Sequence, residues 1–296
     1  MSWFWNATYE VARNEVLQHL RTKRLLIIGS LLLGSLILMT IVLPITLFEL
    51  DQADANEIGG GVAIENFAFM LFLNFPLVGG YLFIQLLAIV LTADGVSSEW
   101  QRKTLFLLLS KPVPRAAFVL GKFFGAIIPI VVLFSGLFIL DYLLLQAVYD
   151  GTPSGEQVAR FFGAVGLLIL GAVAFAAMGL LFSALTRSSV SSLIWALAAG
   201  LLIFPIVGAI GDFNCAGAGS ACDPDALAYD WSHYVTPNHV MTKAGEVLLG
   251  VELDVQFSLV PTNPASSTPG VTIAGVLMIV VFLAATLIAV QKRNFE

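Results

Sequence analysis

Long uninterrupted stretches of apolar residues dominate the chain and are separated by shorter polar segments. A helix needs about 20 apolar residues to cross the hydrocarbon core of a bilayer. Six stretches meet this length, numbered here as spans one to six: residues 25–48, 67–91, 118–147, 161–185, 190–211 and 271–290. Their apolar residues run continuously instead of alternating, which favours helices over barrel strands. The pattern predicts an all-α, polytopic membrane protein with six transmembrane helices.

The composition agrees with a lipid environment. Hydrophobic residues make up 58% of the chain and charged residues 11%, whereas soluble domains hold about 25% charged residues. So few charges would not cover a water-facing surface. The segment before span one has no small-residue cleavage site, so we expect span one to be permanent and not a signal peptide.

Lysine and arginine fall almost entirely on one side of the predicted bundle. If all six spans cross, this side holds Arg13, Arg21, Lys23, Arg24, Arg102, Lys103, Lys111, Arg115, Lys122, Arg187, Lys292 and Arg293. The other side holds Arg160 and Lys243. Because Lys and Arg mark the cytoplasmic side, we expect a multi-pass protein of the cytoplasmic (cell) membrane with both termini in the cytoplasm. No basic face is left for phosphates, so we expect no nucleic-acid partner.

The amino-terminal segment, residues 1–24, has the pattern of an amphipathic helix. Its apolar positions are spaced by three and four: Trp5, Tyr9, Ala12, Val16 and Leu20. Aromatic residues on such a face suit the headgroup layer, so we expect an N-terminal interfacial helix. The alternative is a frayed tail with one helical turn. Residues 25–296 would then form the six-span domain.

The longest stretch outside the spans is the outer segment, residues 212–270. It contains Cys215 and Cys222, which could form a disulfide outside the cell or remain unpaired. The spacing of these cysteines and of His233 and His239 matches no tight zinc pattern, so we expect no metal site. Residues 238–251 have helical apolar spacing. We expect this helix to dip into the membrane or to lie on its outer surface.

Three polar side chains inside the spans are candidates for a translocation path: Asn74, Gln85 and Asp141. Polar groups at membrane depth usually face other helices or a water-filled path. For Asn74 and Gln85 the alternative is a hydrogen bond that holds helices together. For Asp141 the alternative is a wetted acid of the outer leaflet, since it lies about two turns from Asp150.

Span three begins with two glycines four residues apart, Gly121 and Gly125. This small-xxx-small spacing permits the close approach of another helix. Lys122 lies between them and could extend its ammonium to the inner surface.

Residues 94–115, between spans two and three, carry several charges in a chain that is otherwise poor in them; we call them the platform. Ser98 and Gln101 have the spacing of a capping box that would start a short helix. Residues 105–109 are five consecutive apolar residues, which need a cover from the bilayer surface, the rest of the chain or a partner. Pro112 and Pro114 would end the helix. We predict a short cytoplasmic helix with a rigid exit, suited to transmitting force; the alternative is an ordinary inner loop.

The chain has no Walker A, zinc-protease or nucleophile-elbow pattern. We therefore expect no enzymatic activity and no cofactor in this chain. Active transport would need energy from another subunit.

The platform residues also match a known pattern. In order, the matching groups are Glu99, Thr104-Leu105, Leu108-Leu109-Ser110, Pro112-Val113-Pro114-Arg115 and Leu120-Gly121-Lys122. They resemble the ABC-2-like permeases, the membrane subunits of type-2 ABC transporters. Lys103 departs from that pattern, which often has glycine there. The six spans, the amphipathic amino-terminal helix and the long outer segment extend the resemblance to most of the chain.

The resemblance implies a permease that dimerises and binds two copies of a separate ATPase, which holds the ATP and magnesium. In such transporters the platform is a coupling helix that sits in a cleft of the ATPase. By position, the docking residues would be Glu99, Arg102, Lys103, Thr104, Leu105 and Arg115. Exporters are common in this family, so we expect export. Nothing in the sequence selects a substrate.

Two other functions remain open. An ion-coupled secondary transporter could use Asp141, Asn74 and Gln85, but it predicts an inverted repeat that we do not see. A non-transporting membrane scaffold predicts that changes at Glu99 or Arg102 leave any transport intact.

Overall fold

The computed structural model describes residues 2–21, 80–101, 114–148, 155–207, 234–249 and 267–292, with positions 27, 29–30 and 33–34 between the first two ranges. All regular structure in these ranges is helical. The helices are α1 (Ser2–Arg21), α2 (Gly80–Thr92), α3 (Ser97–Gln101), α4 (Arg115–Val148), α5 (Gly155–Leu185), α6 (Ser189–Ala198), α7 (Pro237–Leu249) and α8 (Thr268–Lys292). A π-helical turn, Ala199–Ile203, continues α6.

Four of the described helical stretches are long and apolar enough to cross a membrane: α4, α5, α6 with its π-turn, and α8. They correspond to spans three to six. Span two is described only as α2, and most of span one lies outside the described residues. The all-α, polytopic membrane fold is confirmed. Its physical basis is that a helix satisfies every backbone hydrogen bond within its own segment.

Helix α5 lies at the centre of the bundle. In its most apolar window 67% of residues are buried, against 22% in α8. Its small residues allow this, because glycines at 171 and 179 let Met241 and Thr92 approach the α5 backbone. The small residues of α5 therefore allow the other helices to pack closely around it.

Helix α7 confirms the predicted helix in the outer segment. Its apolar side chains Val240, Met241, Ala244 and Leu248 are buried, and Met241 packs at Gly171, sixteen residues from the start of α5. Of the two predicted placements, α7 therefore dips between the spans. The cysteines at 215 and 222 lie outside the described residues.

Helix α1 forms as predicted, and it packs on α4 with side chains outside the aromatic part of the face predicted for the headgroup layer. Thr8, Ala12, Glu15 and His19 are buried, with the helix packed on α4. Trp5, Tyr9 and Leu20 remain exposed. The reason lies in α4, where the contact surface is made by glycines and accepts a close backbone but no large aromatic ring.

Candidate functional site

The platform starts at a tight turn that follows α2. Ala93–Val96 form this turn, and α3 begins directly after it at Ser97. The Oγ of Ser183, near the end of α5, accepts hydrogen bonds from the backbone N–H groups of Val96 (2.9 Å) and Ser97 (3.0 Å). It also donates to Ser97 Oγ at 3.3 Å. A hydroxyl has one donor and two acceptor sites, so all three are used.

Ser183 thus takes the role that the sequence assigned to Ser98. The first N–H groups of a helix lack intrahelical acceptors, and here a side chain from another span supplies one. The amide oxygen of Gln101 does not reach back to a cap; it accepts a hydrogen bond from Ser189 Oγ at 3.0 Å, at the start of α6. The predicted capping box was therefore wrong, and tertiary contacts replace it.

A buried ion cluster fixes the platform to α1 and α4. Lys122 Nζ lies 2.5 Å from Glu15 Oε2 and 2.5 Å from Glu99 Oε1. The side chains of Lys122, Glu15 and Glu99 are 4%, 8% and 18% exposed. His19 Nε2 lies 3.7 Å from Glu15 Oε1 on the same helix. One ammonium therefore joins carboxylates from an amino-terminal helix and from the platform.

The position of Lys122 near the inner end of span three predicted that its ammonium would extend to the surface. In the structure the side chain is buried instead. The side chain stays inside because two acceptors are available there, and an ammonium can donate to both. Removing one partner of such a buried pair typically costs about 3–5 kcal/mol. The cluster thus stabilises the packing of α1 and α3 against α4.

The glycines beside Lys122 make this contact possible. A Cβ built at Gly121 would lie 2.6 Å from Val11 Cβ and 2.9 Å from the carbonyl oxygen of Thr8. A Cβ at Gly125 would lie 2.9 Å from the carbonyl oxygen of Ala12. The predicted small-xxx-small approach is confirmed, and its partner is α1. Without it, Glu15 would not reach the ammonium.

The far end of the platform is tied to the last helix. The guanidinium of Arg115 donates to the carbonyl oxygens of Gln291 at 2.7 Å and Val290 at 3.4 Å. These carbonyls belong to the last turn of α8, where acceptors lack intrahelical donors. Near the start of the platform, the guanidinium of Arg187 lies 5.6 Å from the ring centroid of Trp100. Both ends of the platform are therefore held by the bundle.

The family model described as "ABC-2 family transporter protein" matches residues 9–295 of the chain. The chain belongs to the ABC-2 transporter family. It is a membrane permease subunit of an ABC transporter. A search of curated proteins gave no match to the chain.

The predicted docking residues of this ABC-2 chain divide into two groups. Glu99 and Arg115 lie at the two ends of the platform and make the contacts described above. Arg102, Lys103, Thr104 and Leu105 lie outside the described residues, as do Asn74 and the two cysteines.

The remaining predicted site residues that the structure describes, Gln85 and Asp141, lie on different helices. Gln85 is buried in α2 beside the π-turn of span five. Asp141 is buried in α4, nineteen residues beyond Lys122, which is about 28 Å along a helix. Among the described residues, the structure does not join Gln85 and Asp141 into one site.

Sequence reasoning missed Glu15 and Ser183. Glu15 could have been found, because it shares a stripe with Thr8, Ala12 and His19 at spacings of three and four. The more apolar aromatic face of the helix drew the prediction away from that stripe. Ser183 had no local signal.

Proposed function

We propose that this ABC-2 permease is driven by a separate ATPase that docks on the platform between residues 101 and 114. The observation that supports this most is the fixation of both platform ends. Ser183, Lys122 and Arg115 connect those ends to α5, to α1 with α4, and to α8. A force applied between the ends would reach each of these helices through short polar contacts instead of being absorbed by a loose loop.

The structure also supports a division of roles among the predicted docking residues. Glu99 and Arg115 use their side chains within the permease, so we infer that they position the platform. Arg102, Lys103, Thr104 and Leu105 would then provide the contact with the ATPase. Leu105 opens the five-residue apolar run that needs a cover, and a cleft in a partner would provide one.

The complete transporter would consist of two permease chains and two ATPase chains, which bind the ATP and magnesium. The basic residues around the platform support a cytoplasmic platform and cytoplasmic termini. Such an arrangement suits export across the cell membrane, in which ATP hydrolysis on the inner side rocks the two permease halves. The lipid bilayer is the remaining partner.

Affinity purification of the tagged chain from native membranes tests the docking. We expect an ATP-binding protein to co-purify with wild type and with Leu105→Met, which keeps the apolar contact. Leu105→Asp should insert normally but lose the ATPase, because it places a charge in an apolar contact. Equal recovery with both variants would show that Leu105 does not face the ATPase.

The same preparation distinguishes the two alternatives. If no ATP-binding protein co-purifies and the purified chain alone drives proton- or sodium-coupled uptake that Asp141→Asn abolishes, the chain is a secondary transporter. If changes at Arg102 leave any transport intact, the result supports a non-transporting membrane scaffold. Untargeted mass spectrometry of inside-out vesicles with and without ATP tests direction, since export would accumulate substrate in their lumen.

A further inference from the structure

The amide of Gln85 is the starting point for a second site, remote from the platform. Gln85 is 5% exposed, and its Nε2 is buried without a hydrogen-bond partner among the residues that the structure describes. An unpaired buried donor is costly because it has lost its water. Asn and Gln side chains in this position normally find an acceptor, so the neighbourhood of Nε2 should contain one.

A candidate acceptor beside Nε2, not bonded to it directly, is the backbone carbonyl of Gly200 in the π-turn of span five. A Cβ built on Gly200 would lie 2.6 Å from Gln85 Nε2, so the amide lies directly against this backbone. In an α-helix the carbonyl would accept from the N–H of Phe204, but that N–H bonds to Ala199 instead. In the π register it would accept from residue 205, which is Pro205 and has no N–H. The Gly200 carbonyl has neither helical donor.

The surroundings of this donor and acceptor are apolar. The other atoms nearest to the Cβ position of Gly200 are Ile89 Cδ1 at 2.9 Å and Phe175 Cε1 at 3.5 Å. Gly200 lies eleven residues from the start of α6, about 16 Å along the helix and thus near the middle of a bilayer about 30 Å thick. An ion would be expensive to hold there, whereas a small neutral group would not.

We propose that Gln85 and the Gly200 carbonyl form a mid-membrane polar site that binds one hydroxyl-type group. The group must accept from Nε2 and donate to the carbonyl, and a hydroxyl does both. Its source is either a water molecule or the hydroxyl of a solute. The π-turn is the structural device that creates the site, since it removes the donor that an α-helix would provide.

Radiolytic hydroxyl-radical labelling of the full chain in nanodiscs tests the proposal, because a bound water labels the side chains beside it. Phe175 is 0% exposed, so bulk solvent does not reach it. We expect labelling of Phe175 and none of Phe161, an equally buried ring elsewhere in the bundle. Gln85→Met keeps the length of the side chain but removes the donor, and labelling should be lost.

Pro205→Ala provides a second variant that leaves Gln85 intact. It restores an N–H at residue 205, so that either helical register gives the Gly200 carbonyl a donor, and labelling should again be lost. Adding 1-hexanol to wild type tests whether the hydroxyl of a solute can also bind: suppressed labelling shows that it displaces the bound water, and unchanged labelling shows that the site takes water alone.

The melting temperature of the same samples tests independently whether the site is occupied. If the site is occupied, Gln85→Met lowers the melting temperature, because the guest is lost and the carbonyl remains unpaired. If the site is dry, the same change removes an unpaired donor and raises it. Three results would each overturn the proposal. Phe175 of the wild type is not labelled, both variants leave its labelling unchanged, or Gln85→Met raises the melting temperature.

Discussion

Replacing Lys122 with methionine tests whether the ion cluster holds α1 and the platform together. The variant keeps the length of the side chain and removes its charge. Glu15 Oε2 and Glu99 Oε1 each lie 2.5 Å from the same nitrogen, so the two oxygens lie within about 5 Å of each other. Without the ammonium they would repel by about 3 kcal/mol at an effective dielectric constant of 20. This agrees with the ~3–5 kcal/mol that the loss of one buried partner usually costs.

Hydrogen exchange by mass spectrometry measures the effect where it should occur. If the cluster closes the contact, opening of α1 and α3 becomes easier by about 3 kcal/mol, which corresponds to roughly 100-fold faster exchange of their amides. Helix α7 has no part in the cluster and should exchange at its wild-type rate. Adding Glu15→Gln and Glu99→Gln to the lysine variant should restore much of the protection, because the uncompensated charges are then gone.

The chain offers a matched control for this experiment. Arg160 Nη2 and Glu156 Oε1 also lie 2.5 Å apart, but their side chains are 37% and 73% exposed. Exposed pairs contribute about 0–1 kcal/mol, so Arg160→Met should change exchange in α5 little. If the lysine and arginine variants behave alike, the cluster does not stabilise the contact and the reasoning from its burial is refuted.

Two further variants, each with a matched control, test the packing beside the cluster and the start of α3. Gly125→Val should displace α1 and lower the melting temperature, since overpacking costs about 1–3 kcal/mol. Gly136→Val, where a Cβ has open space, should leave the melting temperature unchanged. Equal melting temperatures for the two variants would contradict the close packing of α1 on Gly125. Ser183→Ala should destabilise the start of α3 by about 1–2 kcal/mol, because two backbone N–H groups lose their acceptor. Ser188→Ala, at a position without a side-chain cap, should have little effect on α3 exchange; faster exchange in both variants would remove Ser183 as the cap.

The sequence predicted the features that depend on local spacing. Continuous apolar runs gave the helices of spans three to six, and the glycines at 121 and 125 correctly indicated a close helix approach. The helix of residues 238–251 was also found, because its apolar positions recur with helical period. Each of these signals is contained within one segment, where periodicity and residue size decide the outcome.

The features that sequence reasoning missed depend on pairs distant in the chain. Lys122 and Glu15 are 107 residues apart, and Ser183 lies 86 residues from Ser97. No local pattern states that these groups meet. The assignment of Lys122 to the inner surface followed an ordinary rule for a lone lysine at a span end, and it was wrong because two carboxylates arrive from other helices.

The order of synthesis gives the ion cluster a consequence for membrane insertion. Glu15 leaves the ribosome 107 residues before Lys122, which at about 5–20 residues per second is a delay of roughly 5–20 seconds. During this time the acid lacks its ammonium partner, and α1 has no α4 to pack against. Its exposed Trp5 and Tyr9 suit it to rest among lipid headgroups until the third span arrives. The amino-terminal helix is therefore synthesised before α4 but reaches its final place only after α4 has been made.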